Sequence, residues 1–161
     1  MKRLLIVVIL LTNAIYARNS VDDSVVNVYA IATPINFNIT KGSVKSIAYT
    51  HKNVGNLRSV KTGKFRYFNS FKDGYNALLK DISIKQSGKS AHINNDATIA
   101  EFISVYAPPS ENNTDNYIRV VCNLLSAKAD VKFATIDVRA LAKAIIYVED
   151  YNLYNEMYNN N

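Results

Sequence analysis

The spacing of apolar positions changes character along the chain, and each change predicts a different kind of element. Residues 4–11 form an uninterrupted apolar run, Leu4–Leu11. Between 18 and 50 the pattern is strand-like. Val25, Val26, Val28, Tyr29 and Ile31 are β-branched or aromatic, Thr33–Pro34 breaks the run, and Ile35, Phe37 and Ile39 then alternate with Asn36 and Asn38. A further strand is predicted over 43–50, after Gly42. Residues 51–69, with Gly55 and Gly63, predict a loop and a short hairpin ending in Phe65–Phe68.

From Ser70 the period becomes helical, and four helices are predicted. Ser70 and Asp73 resemble a capping box ahead of Phe71, Tyr75, Leu78, Leu79 and Ile82, which share one helical face. Asp96 is the expected cap of a helix carrying Ile99, Phe102, Ile103 and Tyr106, stopped by Pro108–Pro109. Thr114 and Asp115 open a third, with Tyr117, Val121, Leu124 and Leu125 inward, and the fourth runs from near Thr135 to about Tyr151. The expected fold class is α+β, mainly α: a β-rich N-terminal extension over 18–50, a helical domain over 51–151 and a disordered Asn-rich tail over 152–161.

The N-terminal run changes how charge is counted. Lys2 and Arg3, then the apolar run, then a small-residue exit at Ala17 form the pattern of a secretory signal peptide over 1–17, the alternative being a buried N-terminal helix. The run is far short of the ~20 residues that a spanning helix needs. The expectation is an exported protein, periplasmic or secreted, with no stable membrane insertion after cleavage. Removing Lys2 and Arg3 leaves 17 basic against 13 acidic residues, a net charge of +4. Eight of those bases, Lys41, Lys45, Lys52, Arg58, Lys61, Lys64, Arg66 and Lys72, fall in a stretch without Asp or Glu. Tyr49, Phe65, Tyr67 and Phe68 interleave with them. Such a stretch suits either an anionic or saccharide ligand or a solvated face.

Composition narrows the chemistry. At 161 residues, 48% hydrophobic and with 5 Gly and 3 Pro, the chain has the make-up of one globular domain. Its single cysteine, Cys122, and its two histidines, His51 and His92, predict neither a disulfide framework nor a metal site, and no cofactor is expected. Cys122 lies beside the apolar face of its helix and reads as a buried thiol.

The sharpest candidate lies on the fourth helix. At 100° per residue Val138, Leu141, Ala142, Ile145, Val148 and Glu149 share one stripe, with Arg139, Lys143, Tyr147 and Asp150 opposite. Glu149 is thereby put on the buried side, where desolvation and the negative end of the helix dipole both favour its protonated form. A carboxyl that keeps its proton near neutral pH meets the requirement for a general acid. The alternative is a glutamate that reaches solvent at the helix end or pairs with a core arginine. Glu101 is expected to be solvated, Glu156 to lie in the frayed tail, and Glu111 to serve the loop ahead of a helix start.

Asn53-Val54-Gly55-Asn56-Leu57-Arg58, Gly63-Lys64-Phe65-Arg66-Tyr67-Phe68 and Asp73-Gly74-Tyr75-Asn76-Ala77-Leu78 follow one another in an order that resembles phage-associated, lysozyme-like muralytic proteins. The segment Tyr106-Ala107-Pro108-Pro109-Ser110-Glu111-Asn112-Asn113-Thr114, with Tyr117-Ile118, resembles the same group, so that the likeness covers about 51–150. Leu141–Glu149 looks like the helix that supplies the acid in many lysozyme-like enzymes, here C-terminal to the Asn53 loop, which implies a permuted helix order; Val54 stands where the group's pattern has Pro. The resemblance implies a peptidoglycan-cleaving enzyme of lysozyme or lytic-transglycosylase type, with Glu149 catalytic and Asn56, Arg58, Tyr106 and Glu111 as substrate contacts. Its partner would be peptidoglycan or another anionic wall glycan, with no nucleic acid expected. Two other classes fit the same residues: a non-catalytic wall-binding or assembly module, and an exported effector binding a protein partner.

Overall fold

Side chains that accept backbone N–H groups open each of the α-helices, and the apolar spacing behind each cap decides which face is buried. The computed structural model describes residues 35–39 and 46–159 and is mainly helical. The helices are α1 (Ile47–Thr50), α2 (Phe71–Gln86), α3 (Ile99–Tyr106), α4 (Thr114–Leu125), α5 (Val138–Glu149) and α6 (Tyr151–Tyr158), with a 3-10 turn at Phe133–Thr135. The described residues hold no strand, only the isolated antiparallel bridges Arg58–Phe65 and Thr98–Lys132. No helix among them is long and apolar enough to cross a membrane.

Helix α2 begins at Ser70, whose hydroxyl accepts from the Asp73 N–H at 3.1 Å, and it buries Phe71, Gly74, Tyr75, Leu78 and Ile82. Helix α3 starts not at Asp96 but at Thr98. The sequence Thr98-Ile99-Ala100-Glu101 closes a reciprocal capping box, with Thr98 N–H donating to Glu101 at 2.8 Å. Asp96 pairs instead with Lys132 at 2.6 Å. Asn113 caps α4, and α5 opens on Asp137, which accepts from the Arg139 and Ala140 N–H groups. Helix α5 packs against α2, α4 and α6 and is the core's centre, with Leu141, Ala142, Ala144, Ile145 and Ile146 buried. Phe102 stacks on Phe133 at 4.9 Å, fixing α3 to the 3-10 turn.

Four further expectations need correction. The strand over 43–50 is replaced, where the chain is described, by the single turn α1: Ser46 caps Tyr49 N–H at 3.0 Å and Ala48 enters the core. Residues 35–39 are extended without belonging to a sheet. They lie along α6, with Asn36 N–H donating to the Met157 carbonyl at 2.9 Å and Phe37 against Tyr75. The described part of the tail, to residue 159, does not fray. Asp150 leaves the helical conformation (φ −156°) and its carboxylate accepts from Leu153 N–H, so a new helix starts, burying Leu153, Glu156, Met157 and Tyr158. That break also overturns the outward direction expected of Asp150, which is buried and bonded by the Ser46 hydroxyl. The signal-peptide segment, the strand over 25–31, Lys41 and Lys45 lie outside the described residues.

Candidate active site

The loop between α1 and α2 is built around a buried amide. Asn53 is wholly inaccessible; its Nδ2 donates to the Leu57 and Arg66 carbonyls at 2.9 and 3.0 Å, and its Oδ1 accepts from Leu57 N–H at 2.8 Å. Both arms of the loop are thereby tied together. The loop then presses on α2. A Cβ on Gly74 would sit 1.9 Å from the Lys52 carbonyl oxygen, so only glycine allows this approach. Asn56, at the loop's tip, adopts a left-handed conformation (φ 48°), which asparagine tolerates better than most residues.

That turn aims Asn56 at the end of α5. Its Nδ2 donates to Glu149 Oε2 at 2.5 Å, while the Tyr117 hydroxyl, from α4, donates to Oε1 at 2.9 Å. Burial pushes the Glu149 carboxyl above its ordinary pKa, and the hydrogen bonds from Tyr117 and Asn56 pull it part of the way back. Burial and the Glu149 charge also push the Tyr117 and Tyr106 hydroxyls up, keeping both as neutral donors. The Tyr106 hydroxyl donates to the Gly55 carbonyl, and its ring meets Tyr117 edge-on at 6.5 Å. Glu149, Asn56, Tyr106 and Tyr117 thus form one cluster drawn from the loop, α3, α4 and α5.

A groove of about 810 Å³ borders this cluster, lined by Asn56, Arg58, Asp81, Lys85, His92, Val105 and Tyr106 among others. Glu149 is not among its lining residues; Asn56, which lines the groove and bonds the carboxylate, connects the two. Arg58 lies over the Phe65 ring at 4.1 Å and pairs with Glu111 at 2.7 Å, with both side chains about half exposed. Glu111 therefore steadies Arg58 from the α3–α4 loop and lies outside the groove lining. Asp81 is ion-paired to Lys85 one helical turn on. Beyond the groove, Lys61, Lys64, Arg66 and Lys72 are exposed, and Tyr67 is 73% exposed with His51 against its ring at 3.6 Å.

Tyr117 and Asn53 are the site residues that periodicity did not single out. Tyr117 reads from the sequence as one more inward aromatic, and only contact with Glu149 distinguishes it. Asn53 precedes a glycine loop and shows no periodic signal of its own. Glu101 is exposed and used as a cap, and Cys122 is a buried free thiol whose pKa burial raises, so the thiolate is disfavoured. No known family model matches the chain, and no curated protein sequence matches it significantly.

Proposed function

We propose that the chain is an exported peptidoglycan-cleaving enzyme of lysozyme or lytic-transglycosylase type, with Glu149 as its general acid. The observation that carries this reading is the Glu149 carboxyl, enclosed between the Asn56 amide and the Tyr117 hydroxyl beside the loop that borders the groove. Burial favours the protonated carboxyl from which the reaction would start. The two donors fix the carboxyl's orientation and stabilise the carboxylate left when the proton moves to the glycosidic oxygen.

Two-carboxylate glycosidases need a partner ~5–9.5 Å away. Asp81, the carboxylate that lines the groove, is paired with Lys85, and Glu111, outside the lining, is paired with Arg58. That favours assistance from the substrate itself. As the C1–oxygen bond breaks, the acetamido oxygen bonds to C1; the sugar's own C6 hydroxyl then displaces it, its proton returning to Glu149, and an anhydro end remains. Asn56, Arg58 and Tyr106 would border the bound strand, and the exposed bases of 61–72 would attract its carboxylates.

Incubation with purified murein, followed by mass spectrometry of the soluble products, tests the reading. Anhydro-ended muropeptides are expected from the wild-type chain and none from Glu149→Gln. A second reading draws on the fact that both Glu149 oxygens already have protein partners. In that case Glu149 is a structural tie in a wall-binding module, and murein would capture the protein without any product released.

A further inference from the structure

The tail expected to be disordered builds a surface of its own. Tyr147 on α5 meets both Tyr151 and Tyr154 of α6 edge-on at 5.1 Å, and the latter two rings lie nearly parallel (12°) with centroids 6.4 Å apart. Tyr154 contacts Tyr158 at 5.1 Å, and the Lys143 ammonium stands over Tyr158 at 4.8 Å and Tyr154 at 5.8 Å. Tyr151 is 54% exposed. By helical angle this face lies across α5 from Glu149. Of the acidic groups next to it in the chain, Glu149 bonds Asn56 and Tyr117 and Asp150 caps α6.

We propose that Tyr151 and Tyr154, with Tyr147 and Lys143 beside them and the buried Tyr158 behind, form a second glycan-binding surface, which holds a carboxylate-bearing sugar strand away from the Glu149 cluster. The identity of the glycan rests on the muralytic reading above. A pyranose ring presents C–H faces that stack on an aromatic ring and hydroxyls that bond at its rim; tyrosine offers both. Tyr151, the exposed ring of the group, offers such a face, and Tyr154 stands next to it. The Lys143 ammonium, in no ion pair among the described residues, complements the strand's carboxylates. A face made to enter a bilayer would instead carry Trp, Phe and Leu. Of the exposed aliphatic side chains, Val60, Ile84 and Val105 line the groove and Leu124 lies on α4.

The full chain carrying Glu149→Gln, which leaves the polymer intact, is sedimented with purified murein sacculi over a range of concentrations. Adding Tyr151→Ser and Tyr154→Ser is expected to raise the half-saturation concentration about tenfold. Tyr151→Ser alone, at a mostly exposed ring that the core does not use, should move it in the same direction, and Lys143→Gln should flatten its dependence on salt. With Glu149 intact, the double variant should release product from sacculi more slowly yet cleave a short soluble muropeptide oligomer at the wild-type rate. Unchanged sedimentation of the tyrosine variants overturns the proposal even if products form. So does stronger, tyrosine-dependent binding to phosphatidylglycerol vesicles than to sacculi, or self-association that the variants abolish. Tyrosine-dependent sedimentation with no product from the wild-type chain upholds the surface and removes the catalytic reading alone.

Discussion

A carboxyl group that is buried beside two hydrogen-bond donors is pulled in opposite directions, and at Glu149 burial wins. The sign of the resulting pH dependence is fixed. The folded chain holds this proton more tightly than the unfolded one, so Glu149 costs stability as pH rises from the unfolded carboxylate range, near 4.3, through the raised folded value. Glu149→Gln has no proton to lose. Thermal melts should therefore show its stability relative to wild type improving from acid to neutral pH, while murein cleavage falls by about 100-fold or more. Tyr117→Phe removes a bond that favours the carboxylate, so the Glu149 pKa should climb further. The alkaline limb of a pH–rate profile should then move to higher pH; a limb that stays in place would remove Glu149 as the titrating acid. The inward side of Glu149 was readable from a 3.6-residue period, but its partners were not. Asn56 lies 93 positions and Tyr117 32 positions away along the chain, and no local pattern encodes such a contact.

At the scale of elements, legibility follows length more than capping. Helices α2, α4 and α5 announce themselves because twelve or more residues give the period time to repeat. Only α2 opens on the expected cap, Ser70; α4 and α5 open on Asn113 and Asp137 rather than at Thr114 and near Thr135. Helix α1, at four residues, has no period to show, and its β-branched and aromatic neighbours imitate a strand. The loop over 52–58 is organised by one side chain, and its energetics are correspondingly concentrated. Asn53→Ala would strip three hydrogen bonds from a wholly buried site and leave Leu57 N–H without its acceptor. A loss of about 3 kcal/mol in urea denaturation is expected, since a stranded buried group costs more than a bond contributes. Activity should fall with it even where the chain remains folded, because the same loop carries Asn56 to Glu149.

For the molecule as a whole, the decisive step is the break at Asp150. A helix that continued past Glu149 would carry the next residues out along the α5 axis; the break turns the chain back so that Leu153 and Met157, four positions apart, enter the core completely. Residues 35–39 then lie against α6 through Asn36, and Ser46 bonds the Asp150 carboxylate, so segments more than a hundred positions apart depend on the C-terminal turn. An Asn-rich composition masks this, because Leu153 and Met157 stand among Asn and Tyr residues that give no apolar period. If the tail were an ornament, ending the chain after Asp150 would leave stability untouched. Removing α6 instead uncovers the cavity that Leu153 and Met157 fill, and single truncations of such side chains already cost about 2–5 kcal/mol each. Together they match much of the 5–15 kcal/mol that holds a domain folded. The shortened chain should lose its cooperative urea transition, with far-ultraviolet circular dichroism reporting reduced helix, and Met157→Ala in the full chain should lower the transition midpoint by itself. A sharp, wild-type transition in the shortened chain would mean that α6 rests on the core without supporting it.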